Sequence, residues 1–146
     1  MDDLEHIVNR LPYKHPFLFV DTLISISSEG AEGTYTFKED AYFYEGHFKN
    51  HPVTPGVILT ECMAQIGVVC LGILLLNAND GTPSEEPKIA MSSSQVDYLL
   101  PVYPRETVRV VSEKEYFRFG KLKCKVKLYN SEGKIACQGV ISGMIA

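Results

Sequence analysis

One short stretch, EGHFKNHPVTPGVILTECMAQIG, residues 45–67, carries several ionisable side chains, of which two are placed to exchange protons with a substrate. His47 lies in its proline-rich front half and Glu61 in its apolar back half. An imidazole there serves as a general base near pH 7 if its other nitrogen is held by a backbone carbonyl. The plain alternative is a half-buried loop histidine. Glu61 sits among Ile58, Leu59, Cys62 and Met63. In a buried helix, desolvation would disfavour its anion and leave a protonated acid accessible near neutrality. The alternative is an exposed stripe that Glu61 shares with Gln65, one helical turn on.

The third group is a backbone amide. A helix start exposes unpaired N–H groups and a partial positive charge, which suits a developing oxyanion. Pro55 has no N–H to give, whereas Gly56 has one and no side chain to block a substrate carbonyl, so Gly56 is the oxyanion candidate. The remaining histidines carry less. His6 falls in a polar N-terminal segment, and His15 and His51 each precede a proline, which favours extended turn conformations. His47 and His51 are four apart but in a loop, with no third ligand at a sensible spacing, so no metal site is expected.

These groups need elements to hold them. Thr54 is placed to cap and Pro55 to open a helix running from about Pro55 to Leu76, ended by the turn-forming and acidic run NANDGTPSEEP. A short helix is expected over Asp2 to Asn9, a strand over Phe17 to Ser27, and its partner over Gly33 to Glu39. Further strands are expected over Lys88 to Leu99, Thr107 to Phe119, Lys121 to Tyr129 and Lys134 to Met144, in meander-like succession. In KLKCKVKLY, Lys121, Lys123, Lys125 and Lys127 alternate with Leu122, Cys124, Val126 and Leu128, so one face must be wet. A helix apolar on nearly all sides needs cover on nearly all sides. A curved antiparallel sheet wrapped around one long central helix supplies it, an α+β architecture of the hotdog kind.

The 146 residues suit a single domain spanning 1–146, and 45% hydrophobic with 22% charged residues is ordinary globular composition. A net charge of -4 offers no global attraction to nucleic acid or anionic lipid. The most apolar run, Ile66 to Leu76, is about half the roughly 20 residues of a membrane span, so a core helix is expected. Cys62, Cys70, Cys124 and Cys137 form no CxxC pair and read as reduced core thiols. With no secretory signal pattern, a cytoplasmic location is expected. No dinucleotide or P-loop glycine pattern occurs, so no cofactor is expected.

Three segments together resemble one known family. GHFKNHPVTPGVILTECMAQ, Gly46 to Gln65, is similar to the GHFPxxPxxPGVLxxEAMAQ signature of β-hydroxyacyl-acyl carrier protein dehydratases of the FabZ type. LPYKHPFLFVD, Leu11 to Asp21, resembles that family's LPHRYPFLLVD, and LLPVYPRETV, Leu99 to Val108, its xxPVxPGDxL. The departures are Lys49 for the proline after GHF, Pro104 to Glu106 reading PRE for PGD, and Tyr13, Lys14 and His15 for HRY.

The resemblance implies a hotdog fold, a homodimer or three such dimers, and dehydration of a (3R)-3-hydroxyacyl thioester on acyl carrier protein. The product is the trans-2-enoyl thioester, in fatty-acid or a related specialised acyl or polyene biosynthesis. It implies that His47 and Glu61 come from opposite subunits into one tunnel, that Gly56 donates its N–H to the thioester carbonyl, and that the Val53 carbonyl orients the histidine. Glu rather than Asp at 61 favours the FabZ branch over the isomerising FabA type. The rival readings are a hotdog acyl-thioester hydrolase and a non-catalytic acyl-binding module. An acidic carrier protein would need a local basic patch, for which Arg105, Arg109, Arg118 and the Lys121 to Lys127 stripe are candidates.

Overall fold

The computed structural model describes residues 3–80 and 88–145. Helix α1 (Asp3–Asn9) leads to β1 (Thr22–Ser27), β2 (Gly30–Thr36) and one 3-10 turn (Tyr42–Glu45). The central helix then runs as α2 (Gly56–Ala64), a π-helical stretch (Gln65–Val69) and α3 (Cys70–Asp80). Four strands follow, β3 (Ile89–Tyr98), β4 (Thr107–Arg118), β5 (Lys121–Tyr129) and β6 (Ile135–Ile145). They join β1 and β2 in one six-stranded sheet of order β1-β2-β4-β5-β6-β3, antiparallel throughout.

The sheet closes over the helix because, beyond its first turn, the helix has almost no face to leave wet. Cys62, Met63, Ile66, Cys70, Leu71 and Ile73 are all fully buried, and the π stretch alone touches β2, β4, β5 and β6. On β5 the leucines, Cys124 and Val126 point inward beneath a row of outward lysines, as the alternation requires. This is the hotdog arrangement. The central helix is long and apolar enough to cross a membrane over Gly56–Asn77, but 83% of its most apolar window is buried inside the protein, the mark of a core helix. All four cysteines are free and buried, and burial pushes the Cys70, Cys124 and Cys137 thiols up to about 12.

Four expectations are corrected. The strands β4, β5 and β6 do form a meander, but β3 does not precede it: β4 already has β2 as its other neighbour, so β3 crosses to the far edge and pairs with β6. Phe17 to Asp21 is not strand, because the backbone of Phe17 and Phe19 is bonded by the Gln65 side chain instead of a neighbouring strand. Thr54 does not cap the helix. Pro55 takes the cap position, and the Thr54 hydroxyl pairs with Tyr44 Oη at 2.6 Å. The helix passes Leu76 to reach Asp80, and most of the turn-rich run after it lies outside the described residues.

Strand β3 is held to the sheet on one side, and Gly139 sets how closely. A Cβ at Gly139 would collide with the Gln95 carbonyl oxygen and crowd the Val96 α-carbon across the β3–β6 pair. Both are backbone atoms that cannot swing aside. Gly139→Ala is expected to lower stability by about 1–3 kcal/mol, as overpacking does, read from the urea midpoint. An unchanged midpoint would mean that β3 and β6 lie farther apart than described.

Candidate active site

The loop before the central helix is pinned at several points. Tyr44 Oη meets Thr54 Oγ1, the Thr54 N–H donates to the Val102 carbonyl at 2.8 Å, and the Val53 N–H donates to the His47 carbonyl at 2.8 Å. The half-buried His47 returns the last contact through its ring, with Nδ1 at 2.8 Å from the Val53 oxygen, and stacks on Phe48 at 4.1 Å between centroids. A carbonyl only accepts, so Nδ1 carries a proton, and in the neutral ring the lone pair is therefore on Nε2. That is the tautomer of a base aimed away from its own loop.

Gly56 is the first residue of α2, outside the i to i−4 ladder that satisfies later amides. Its lack of a side chain is used. A Cβ there would lie 3.0 Å from Cε1 of Tyr98, whose ring rests against this turn.

Glu61 lies one to two turns further along and is half buried. Burial raises its carboxyl above the ordinary 4.5, partly opposed by a hydrogen bond from Gln65 that favours the anion. Gln65 is 0% exposed and fully committed. Its Oε1 accepts the Phe19 N–H at 2.8 Å, and its Nε2 donates to the Phe17 carbonyl at 3.0 Å and to Glu61 Oε2 at 2.9 Å. The amide cannot flip, since Phe19 needs an acceptor and Phe17 a donor. Oε2 of Glu61 is therefore always the accepting oxygen, and the proton of the neutral acid sits on Oε1. Beside the carboxyl is a cavity of about 40 Å³ lined by Tyr13, Val68, Ile89, Met91 and Gly143 among others. The Tyr13 phenol there is pushed up to about 12 by burial and then by the Glu61 charge, so it stays protonated.

The structure thus brings His47 to Val53, and Glu61 to Gln65 and Tyr13. His47 is not among the residues lining the cavity beside Glu61. Gln65 was legible in the sequence only as a polar neighbour of Glu61, and the exposed polar stripe it suggested is instead inside the protein. Tyr13 and Tyr98 carried no signal beyond being aromatic. No group of three or more metal-ligating side chains occurs among the described residues.

A FabA-like domain model matches residues 11–140. The 3-hydroxyacyl-acyl-carrier-protein dehydratase FabZ of Nitratidesulfovibrio vulgaris Miyazaki F is 31% identical over 98% of this chain and 90% of its own length. The FabZ of Geobacter metallireducens is 33% identical over 74% of this chain and 70% of its own. Among solved structures, the dehydratase heterocomplex ApeI:P from Xenorhabdus doucetiae superposes with a TM-score of 0.78 at 11% identity, covering 96% of this chain and 90% of that one. A hypothetical thioesterase protein from Streptococcus pneumoniae TIGR4, solved with coenzyme A, gives 0.62 at 12% identity, covering 85% and 84%. At such identities the structural likenesses define the class, a hotdog protein. The sequence matches go further: the chain belongs to the FabA-like family, among its FabZ dehydratases.

The raised carboxyl has a measurable sign. A group whose folded pKa exceeds its unfolded value contributes stability below the unfolded pKa, near 4.5 here, and loses it as pH rises through the folded value. Glu61→Gln removes that loss. The stability difference between Glu61→Gln and wild type is expected to grow in favour of the variant as pH rises from about 4.5, then level off, in paired thermal melts. A difference independent of pH would mean that Glu61 is not desolvated.

Proposed function

We propose that this chain, acting as one hotdog domain over residues 1–146, dehydrates a (3R)-3-hydroxyacyl thioester on acyl carrier protein, with His47, Glu61 and the Gly56 amide as its working groups. His47 Nε2 takes the α-proton, and the electrons move toward the thioester oxygen, where the Gly56 N–H and the helix dipole offset the developing charge. The electrons then return to form the trans double bond as the β-hydroxyl leaves, taking the Oε1 proton of Glu61 to depart as water. The observation that carries this reading is a complementary pair of held groups. The Val53 carbonyl fixes the Nδ1 proton of His47, so that the neutral ring presents Nε2, and burial disfavours the Glu61 anion.

The two halves are proposed to meet across a homodimer. What supports it is the outer edge of β3: ten residues with Asp97 as their one charge and mostly exposed, pairing on the inner side with β6. A long, weakly charged free edge is a template for a second strand. The cytoplasm is the proposed compartment, which four buried free thiols suit.

Alone, His47→Ala and Glu61→Gln are each expected to lose about 10²- to 10⁴-fold in turnover of a 3-hydroxybutyryl thioester, the usual scale of general acid–base catalysis. Unfolded together and refolded as a statistical mixture, they should regain about a quarter of wild-type activity, since half the dimers then carry one intact site. Wild-type turnover in both single variants would remove their roles, and no recovery in the mixture would remove the shared site. Free thiol release in place of enoyl thioester would turn the reading to a hydrolase.

For the carrier protein's docking patch we propose the candidates that lack a carboxylate partner. Arg105 pairs with Glu39, Arg109 with Glu32, and Lys123 and Lys125 with Glu115. Arg118, Lys121 and Lys127 have no carboxylate partner among the described residues, and Arg118 and Lys121 gather over the Tyr116 ring at 4.3 and 6.0 Å. At the same hairpin tip Phe119 is 96% exposed. Arg118→Glu with Lys121→Glu is expected to raise KM for a carrier-protein-bound substrate at least several-fold at low salt, the effect shrinking as salt is added. An unchanged KM at low salt would place docking elsewhere.

A further inference from the structure

We propose that Tyr98 is a positioning residue for the Gly56 amide, acting through a hydroxyl pair with Thr60; this rests on the proposed reading of Gly56 as donor to the thioester oxygen. Tyr98 is the last residue of β3. Its ring lies on the first turn of α2, so close that a Cβ at Gly56 would stand 3.0 Å from Cε1 and 3.2 Å from both Cδ1 and Cζ. Its hydroxyl is 2.5 Å from Thr60 Oγ1. Gly56 and Thr60 are one turn apart on the same helix face, so a single side chain spans the turn from one end to the other. Thr60 is buried, whereas Tyr98 is 51% exposed, the ring having one side on the helix and the other open.

Nothing else in the sequence does this work. The first turn carries no side-chain cap bond, Pro55 has no N–H, and Gly56 has no side chain with which to pack. The nearby residue of capping type, Thr54, is committed to Tyr44. Glycine is the most permissive backbone residue, and helix ends are the part of a helix that frays. An oxyanion donor gains its effect from being fixed before the charge develops. The Tyr98 ring restricts Gly56 sterically, and the bond to Thr60 holds the ring. Without the phenol, the Thr60 hydroxyl has the Gly56 carbonyl four residues back as its alternative acceptor, a bond that bends helices. The amide would then tilt away from where the thioester oxygen becomes charged.

The interaction matters most in the transition state, so the loss falls on kcat rather than KM. With a 3-hydroxybutyryl thioester, Tyr98→Phe and Thr60→Val are each expected to lower kcat about tenfold with KM within about twofold, on the scale of a weakened oxyanion contact. Thr60→Ser, which keeps the hydroxyl, should restore kcat. The Tyr98→Phe/Thr60→Val double variant should be no slower than the worse single one, as for two groups acting as one unit. Amide hydrogen exchange over residues 56–58 should quicken in both single variants and not in Thr60→Ser.

Wild-type kcat in either single variant, additive losses in the double variant, or a change confined to KM would overturn the positioning role. A wild-type protein that fails to dehydrate the thioester would instead overturn the reading of Gly56. In that case unchanged exchange over 56–58 in Tyr98→Phe and Thr60→Val would also overturn the latch itself.

Discussion

The amide of Gln65 has three partners, and much of the molecule is arranged around keeping them. It accepts from the Phe19 backbone, donates to the Phe17 backbone and donates to Glu61, all from a position without solvent contact. Leaving any one of these groups buried and unpaired would cost about 1–3 kcal/mol. The N-terminal segment is therefore bound to the central helix instead of extending β1. Phe19 is delivered into the core edge-on to Tyr35 at 5.6 Å, and Tyr35 in turn meets Phe37 at 4.9 Å. The same clamp holds one oxygen of Glu61, the carboxylate within the apolar stretch of the helix. Core packing and acid geometry share a single constraint.

Enclosing such a helix has a consequence for the sheet. Six strands wrap it, and the chain order leaves β3 at the edge beside the helix start, with the outer side of that strand unpaired by this chain. The cavity beside Glu61 borders the same strand through Ile89 and Met91. Strand β3 thus runs from the cavity, at Ile89 and Met91, to the helix start, at Tyr98.

The sequence pattern made the long elements legible, because their signals are local and repeated. The alternation of β5 and the apolar run of the helix each predict their own burial without knowing the neighbours. His47, Val53, Gly56 and Glu61 were reached from residue chemistry together with a long motif resemblance. What escaped was set by partners far along the chain. The residues Phe17 to Val20 are apolar and strand-like, yet a glutamine in another element takes the Phe17 carbonyl and the Phe19 N–H. Thr54 has the right chemistry to cap, but Tyr44 competes for its hydroxyl. The crossing of β3 to the far edge follows from β2 having already claimed β4. The π stretch, where the Cys70 amide reaches back five residues to the Gln65 carbonyl, leaves no mark in a run that is apolar throughout.

In the proposed reaction the two proton-exchanging groups are held separately, each by its own chain, and this bears on how the site resets. After one turnover His47 holds the α-proton and Glu61 has lost its own. That leaves an imidazolium and a carboxylate, both needing to revert. The surroundings that disfavour the Glu61 anion before the reaction disfavour it equally afterwards, since burial does not depend on the substrate. Transfer of the proton from the imidazolium to the carboxylate, once water has left, removes both charges and restores the starting pair. No outside acid or base enters the balance, because the proton taken from the α-carbon replaces the one lost with the hydroxyl. The Gln65 bond acts against this reset by favouring the anion, but it also keeps Oε1 as the oxygen that is emptied and refilled. The carboxyl thus stands under two opposing effects: burial, which favours the proton, and the Gln65 hydrogen bond, which favours the anion.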